Sequence, residues 1–122
     1  MSKLYHKIYR YSSIIRNVEN WGSYFWRKIT GFEENFEFQI RNFGNITVPR
    51  NMFGPFKENF LDQIYFKHIP ISVFEHRTEP VILDIGANVG YFSLSTFLKF
   101  SNARIHSFEP HPYNFKVLTE NT

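Results

Sequence analysis

The chain has 122 residues, a usual length for one domain, and its 43% hydrophobic and 20% aromatic content excludes a disordered protein. Its formal net charge of +3 is too small to indicate a nucleic-acid partner. The absence of cysteine excludes disulfides and thiolate zinc sites, and no apolar run has the length of a signal peptide or a membrane span. These features predict a cytoplasmic protein with one hydrophobic core.

Residues 1–30 form a predicted helical extension with a basic polar side. Apolar residues recur every three or four positions, which places them on one face of a helix that is expected to break near Gly22. This stripe consists of Leu4, Ile8, Tyr11, Ile15, Val18, Trp21 and Phe25. Positions 1–28 contain six basic residues and one acidic residue, Glu19. The pattern predicts either packing on the chain's own domain or a weak contact of residues 1–28 with an anionic membrane surface or a partner protein.

Residues 31–79 are predicted to form a β-hairpin and then a helix that leads into the core. Residues 36–40 alternate apolar and polar side chains, and residues 46–48 supply a second short strand after a turn. The helix is indicated by apolar residues four positions apart: Phe56, Phe60 and Ile64.

Residues 80–122 have the order strand, glycine turn, helix, strand and helix. Residues 81–83 are a short apolar run, typical of a strand buried on both faces of a parallel sheet. Residues 91–100 suit a helix packed on that sheet, and residues 104–108 suit a second strand. Together they make a βαβ unit. We therefore predict an α/β domain whose parallel sheet is unfinished at the end of these 122 residues.

The candidate ligand-binding residues follow the two strands. Gly86 and Gly90 allow unusual dihedral angles and let a ligand approach the turn, whose backbone N–H groups can meet a carboxylate. Asp84 can accept a hydrogen bond from an ammonium group. Glu109 lies 23 positions after Gly86, near the ~20 expected for an acidic residue that accepts from both ribose hydroxyls.

A nicotinamide dinucleotide enzyme is the nearest alternative on the residues alone. Asn88 stands where the dinucleotide motif has its middle glycine, which lets the backbone approach a pyrophosphate. This departure favours a cofactor without phosphates. The histidines show no metal-ligand spacing and no nucleophile triad stands out, so no metal site is predicted and the catalytic residues are unknown.

Two motifs resemble the FkbM-type family of S-adenosylmethionine-dependent methyltransferases: Asp84-Ile-Gly-Ala-Asn-Val-Gly90 after the first strand and Phe108-Glu-Pro110 at the end of the second. The resemblance is firmest over residues 81–118 and weaker over residues 56–65. It implies an incomplete Rossmann-like sheet of the class I methyltransferases that binds S-adenosyl-L-methionine. It also implies methyl transfer to a hydroxyl oxygen of a small-molecule acceptor, such as a sugar or a secondary metabolite.

The resemblance assigns cofactor contacts to nine residues. They are Asp84, Ile85, Gly86, Ala87, Asn88, Gly90, Phe108, Glu109 and Pro110. Ile85 and Ala87 are expected to contribute backbone atoms to the cofactor loop. Glu109 is expected to contact the ribose, with its two neighbours flanking the adenosine.

Residues 80–122 hold one βαβ unit and the start of another helix, with no acceptor site or catalytic base. The chain is therefore expected to be the N-terminal part of a longer enzyme, inactive alone, with residues 80–122 as the first part of the methyltransferase domain. The alternative is a non-catalytic fragment or small binding protein that acts through its basic N-terminal helix.

Overall fold

The computed structural model describes residues 3–31, 34–67, 69–70, 72–76 and 78–122. It confirms a mixed α/β chain, and two compact units are present: an N-terminal unit, Met1–Phe56, and a C-terminal unit, Lys57–Thr122. Five residues of the segment 31–79, which was predicted as a β-hairpin and a helix, lie outside the described residues: Phe32, Glu33, His68, Ile71 and Arg77. Among the helices that are described, none is both long and apolar enough to cross a bilayer. The division into residues 1–30, 31–79 and 80–122 stays a prediction.

Two helices open the N-terminal unit: α1, Lys3–Asn17, and α2, Trp21–Thr30. The predicted break near Gly22 is confirmed: it lies at residues 18–20, and Gly22 itself belongs to the first turn of α2. The predicted apolar stripe does not form one buried face. Ile14 and Val18 point into the core, whereas four members of the stripe stay exposed: Leu4, Ile8, Ile15 and Trp21.

The predicted hairpin is confirmed as two antiparallel strands, β1, Phe36–Ile40, and β2, Gly44–Val48. Alternate residues of β1 are buried and exposed, as the period-two pattern requires for a strand with one face on a core. The turn between the strands uses left-handed backbone at Asn42, with a φ of 60°.

Pairing with β1 explains where α1 ends. Val18 forms an antiparallel bridge with Ile40. The Asn20 side chain donates to the Glu37 carbonyl at 2.7 Å and accepts from the Gln39 N–H at 3.0 Å. These hydrogen bonds pair the backbone groups along one edge of β1. Residues 18–20 make these bonds and therefore leave the helix, so the break lies before Gly22.

The helix predicted around residues 56–64 is wrong as a regular element. The structure has a series of short turns there: a 3-10 turn Arg50–Met52, α3 Phe53–Phe56, a π-type turn Lys57–Leu61 and a 3-10 turn Ile64–Lys67, followed by α4, Ser72–Glu75. Gln63 has a φ of 47°, which a right-handed helix cannot contain. The spacing of the apolar residues was therefore a correct sign of helical turns but not of one continuous helix.

The predicted βαβ order is confirmed in the C-terminal unit. Its elements are β3, Val81–Ile85, α5, Tyr91–Lys99, β4, Arg104–Phe108, and a final helix α6, Pro112–Asn121. The two strands are parallel, and Asp84 lies opposite Ser107 in their register. The carboxyl ends of both strands therefore meet at the same edge of this two-stranded sheet.

The expectation that β3 is buried on both faces is wrong for the described chain. Val81, Leu83 and Ile85 are 60%, 61% and 82% exposed, whereas Asp84 between them is buried. Register partners in parallel strands point to the same side, so Phe108 joins Ile85 on the exposed face. The covered face is the one that bears Asp84 and contacts α5.

Candidate functional site

The glycine loop, residues 86–90, leads from the carboxyl end of β3 into α5. Gly86, Asn88 and Gly90 all have left-handed backbone, with φ values of 80°, 54° and 88°. A Cβ on Gly90 would lie 2.6 Å from Leu118 Cδ1, whereas a Cβ on Gly86 would meet no described atom within 4 Å. The second glycine thus allows α6 to pack closely, and the first faces open space that a ligand could enter.

The N–H groups at the start of the glycine loop donate to protein acceptors. Gly86 and Ala87 both donate to the Phe108 carbonyl, at 2.9 and 3.0 Å. Asn88 donates to Glu109 Oε2 at 2.8 Å. These three N–H groups are therefore engaged within the protein, and the predicted contact of loop N–H groups with a ligand carboxylate stays a prediction. What they do is fix the loop to the end of β4.

Glu109 follows β4, and its half-buried carboxylate joins two parts of the site. One oxygen accepts from the Asn88 N–H, and Oε1 accepts from the His111 N–H at 2.8 Å, immediately before α6. Each carboxylate oxygen has two lone-pair directions. Among the described residues, these two backbone N–H groups leave a second lone-pair direction on each oxygen.

Asp84 is buried near the end of β3, on the face covered by α5. Its Oδ2 accepts from the Ser93 hydroxyl at 2.6 Å, and that hydroxyl lies 2.7 Å from the hydroxyl of Ser107 on β4. The carboxylate is therefore fixed by one oxygen from the helix side.

Three polar residues that support the loop were missed from the sequence. Ser93 lies one helical turn after Gly90, and Ser107 is the register partner of Asp84, so both could have been found once the strands were aligned. Asn121 is buried and donates to the Val89 carbonyl at 3.0 Å across 32 positions. No local pattern marks a contact of that separation.

The remaining predicted contacts lie around Glu109. Ile85 and Phe108 are paired in the register and exposed, which makes a small apolar surface at the end of the sheet. Pro110 is exposed, whereas Ala87 is buried and offers only its backbone. The structure thus brings the nine predicted residues to two adjoining strand ends, on different faces of the sheet.

Other ionisable groups add little to the site. Burial, with a smaller contribution from Tyr113, raises the pKa of Tyr91 above its ordinary value, so this phenol stays protonated and is no base at neutral pH. Within the described part of the chain, no group of three or more His, Cys, Asp or Glu side chains could hold a metal ion. The chemistry of the site therefore centres on two carboxylates, those of Asp84 and Glu109.

Two curated proteins are similar to this chain over about half of its length. One is the 31-O-demethyl-FK506 methyltransferase FkbM of Streptomyces tacrolimicus, 36% identical over 66 residues, which are 54% of this chain and 24% of that protein. The other is the methyltransferase sdnD of Sordaria araneosa, 39% identical over 66 residues, which are 54% of this chain and 23% of that protein.

The matched region spans about a quarter of the length of these two relatives. No family model and no solved structure matches the chain. The similarity to FkbM-type methyltransferases, expected from the glycine loop and the Phe-Glu-Pro that follows β4, is confirmed over about half of the chain.

Proposed function

We propose that this chain carries the cofactor-binding part of an S-adenosylmethionine-dependent methyltransferase. The proposal is supported by the similarity to two methyltransferases and by Asp84 and Glu109, which stand at the carboxyl ends of adjoining parallel strands. Open α/β sheets bind ligands in the crevice beyond such strand ends. We accordingly interpret β3, α5 and β4 as the first part of a Rossmann-like sheet of the class I methyltransferases.

The hydrogen-bonding groups of the site favour S-adenosylmethionine over a dinucleotide, and this observation carries the proposal. Asp84 and Glu109 offer negative charge and acceptors to a ligand that has an ammonium group, a sulfonium and a ribose diol. The N–H groups of residues 86–88 already donate within the protein. A pyrophosphate would lack these donors and would be repelled by both carboxylates, whereas the one carboxylate of S-adenosylmethionine is offset by the ammonium and the sulfonium of the same ligand.

Each carboxylate has a distinct task in this proposal. Glu109 accepts from the ribose hydroxyls with the lone pairs that its two backbone bonds leave open. Asp84, held at Oδ2 by Ser93, presents its other oxygen to the ammonium group. Ile85 and Phe108 supply apolar surface for the adenine. When bound, the cofactor supplies an electrophilic methyl group on its sulfonium.

We propose a hydroxyl oxygen of a small molecule, a sugar or a secondary metabolite, as the methyl acceptor. The support is the name of one relative, which acts on 31-O-demethyl-FK506. None of the described residues is assigned as the catalytic base. Cofactor binding is therefore the property of this chain to be tested first.

The decisive experiment is calorimetric titration of the chain with S-adenosylhomocysteine and, separately, with NADH. We expect binding of the first and none of the second. Glu109→Gln should weaken S-adenosylhomocysteine binding at least tenfold, because a charge-assisted hydrogen bond contributes about 1.5–3 kcal/mol.

The matched control is Glu120→Gln, which changes the same side chain on α6, where its described ion pair is an exposed one with Lys116 at 3.8 Å. This variant should bind like the unchanged chain. A preference for NADH, or no S-adenosylhomocysteine binding by a chain with native circular dichroism, would contradict the proposal.

A further inference from the structure

The two N-terminal helices carry apolar side chains on two separate sides. Ile14, Val18 and Tyr24 point into the core of the N-terminal unit and are almost fully buried. A second set is exposed, and we call it the apolar face: Leu4, Ile8 and Ile15 of α1, with Trp26 and Ile29 of α2. Packing of the helices on their own unit explains the first set and not the second.

The spacing of the apolar face makes it continuous along each helix. Leu4, Ile8 and Ile15 are separated by four and seven positions, which returns them to one side of α1. Trp26 and Ile29, three positions apart and 66% and 82% exposed, share one side of α2. A group of large apolar side chains exposed together on a protein surface often marks a site that binds a partner or a membrane.

The two helices that carry the apolar face are rich in basic residues. The basic side chains described on α1 and α2 are Lys7, Arg10, Arg16, Arg27 and Lys28. In the same stretch the acidic residue is Glu19, between the helices. The Lys28 ammonium donates to the Tyr11 hydroxyl at 2.7 Å and lies 4.6 Å from that ring centroid, which ties α2 to α1.

We propose that α1 and α2 dock on the surface of an anionic lipid bilayer. The helices lie in the plane of the membrane, with the apolar face in the boundary between headgroups and acyl chains and the basic side chains on lipid phosphates. Trp26 suits that boundary because its ring is apolar and its indole N–H is a hydrogen-bond donor. A second copy of the chain would bring the same basic residues together, so charge complementarity favours an anionic surface, and an anionic bilayer offers that surface together with an apolar interior for the apolar face.

Cosedimentation of the chain with vesicles tests the electrostatic part of the proposal. We expect binding to vesicles of phosphatidylcholine mixed with phosphatidylglycerol, weaker binding to phosphatidylcholine alone, and loss of binding in high salt. The double variant Arg16→Glu/Arg27→Glu should lower partitioning by roughly tenfold or more, because each basic residue contributes about fivefold at an anionic surface.

The control carries the same change of charge on the C-terminal unit, Lys67→Glu/Lys116→Glu, and should bind nearly as well as the unchanged chain. Both residues are exposed. An equal loss of vesicle binding in both double variants would mean that only the net charge of the chain matters, and it would overturn the proposal.

Tryptophan fluorescence tests insertion of the apolar face. In a Trp21→Phe variant, Trp26 is the remaining tryptophan. We expect its emission to shift to shorter wavelength on anionic vesicles and its quenching by acrylamide to fall. Ile29→Ser should reduce binding, whereas Phe115→Ser, at a 49% exposed position on α6, should not.

Unshifted Trp26 emission in the presence of saturating anionic vesicles would overturn the proposal. So would a concentration-dependent dimer, detected by sedimentation velocity, that does not bind vesicles, because the apolar face would then serve a second copy of the chain. Circular dichroism of each variant confirms that the helices are retained.

Discussion

Glu109 is held by backbone on two sides, at Asn88 of the glycine loop and at His111 before α6. Its position after β4 follows from sequence spacing, but its two N–H partners do not, because they depend on the dihedral angles of the loop. The side chain therefore has a structural task in addition to the proposed ribose contact. A loss of binding at position 109 combines both effects, which is why the Gln variant, equal in size, is the better probe.

The two glycines of the loop should respond differently to the same substitution. Gly86→Ala and Gly90→Ala both place a Cβ on left-handed backbone, which costs about 1–2 kcal/mol. At Gly90 the new methyl group also meets Leu118, and overpacking of this kind adds about 1–3 kcal/mol. Urea unfolding followed by circular dichroism should therefore show the larger loss for Gly90→Ala.

A second substitution separates the two causes. Leu118→Ala removes the atom that the new methyl group would meet, so its own destabilisation should add less than fully to that of Gly90→Ala. Full additivity, or equal losses for the two glycine variants, would show that backbone strain alone governs the loop.

At the level of helices and strands, local pattern predicted the type of most elements. The alternation in β1 and the strand–turn–helix order after residue 80 are local properties, and both are confirmed. The break near Gly22 is confirmed, but its cause could not be predicted, because it is pairing with a strand that lies farther along the sequence. The turns over residues 50–67 were missed for a similar reason, since tertiary packing overrides a simple period of four.

Asn20 is the side chain through which the end of α1 can be tested. Asn20→Ala removes two hydrogen bonds to β1, and we expect it to lower the free energy of unfolding by about 1–2 kcal/mol. Urea unfolding followed by tryptophan fluorescence reports on this unit, because both tryptophans lie in α2.

The control for Asn20 is Asn17→Ala, which loses one exposed side-chain bond to Ser13. That change should stay within about 0.5 kcal/mol of the unchanged chain. Similar effects of the two variants would mean that the bonds to β1 do not hold the break in place.

For the whole molecule, the sequence predicted the α/β class and the parallel pairing of two strands, and both are confirmed; the binding roles of Asp84 and Glu109 stay predictions. It did not predict which side chains of the sheet are buried, because their burial depends on which sheet face is covered by other helices and strands. The apolar run of residues 81–83 predicted a strand buried on both faces, but Val81 and Leu83 lie on an exposed face. It also could not show that Ser93 and Asn121 brace the loop, since such contacts arise only when the helices are packed.

The exposed sheet face has a measurable effect on the whole chain. Leu83→Thr keeps a residue suited to strands and removes apolar surface, so it should lower the fluorescence of the dye ANS without loss of circular dichroism. Ile82→Thr, a half-buried neighbour on the covered face, should instead destabilise the chain. Unchanged dye binding in Leu83→Thr would show that the dye reports on another surface.

The Phe108 carbonyl accepts from two successive amides, those of Gly86 and Ala87. Amide hydrogens in such bonds exchange with solvent deuterium only when the bonds open. Because both bonds end on one oxygen, a movement of Phe108 away from the loop releases the two amides in a single event. Their exchange therefore reports the rate at which the glycine loop separates from the end of β4, and a ligand that bridges Asp84 and Glu109 would slow both amides by the same factor.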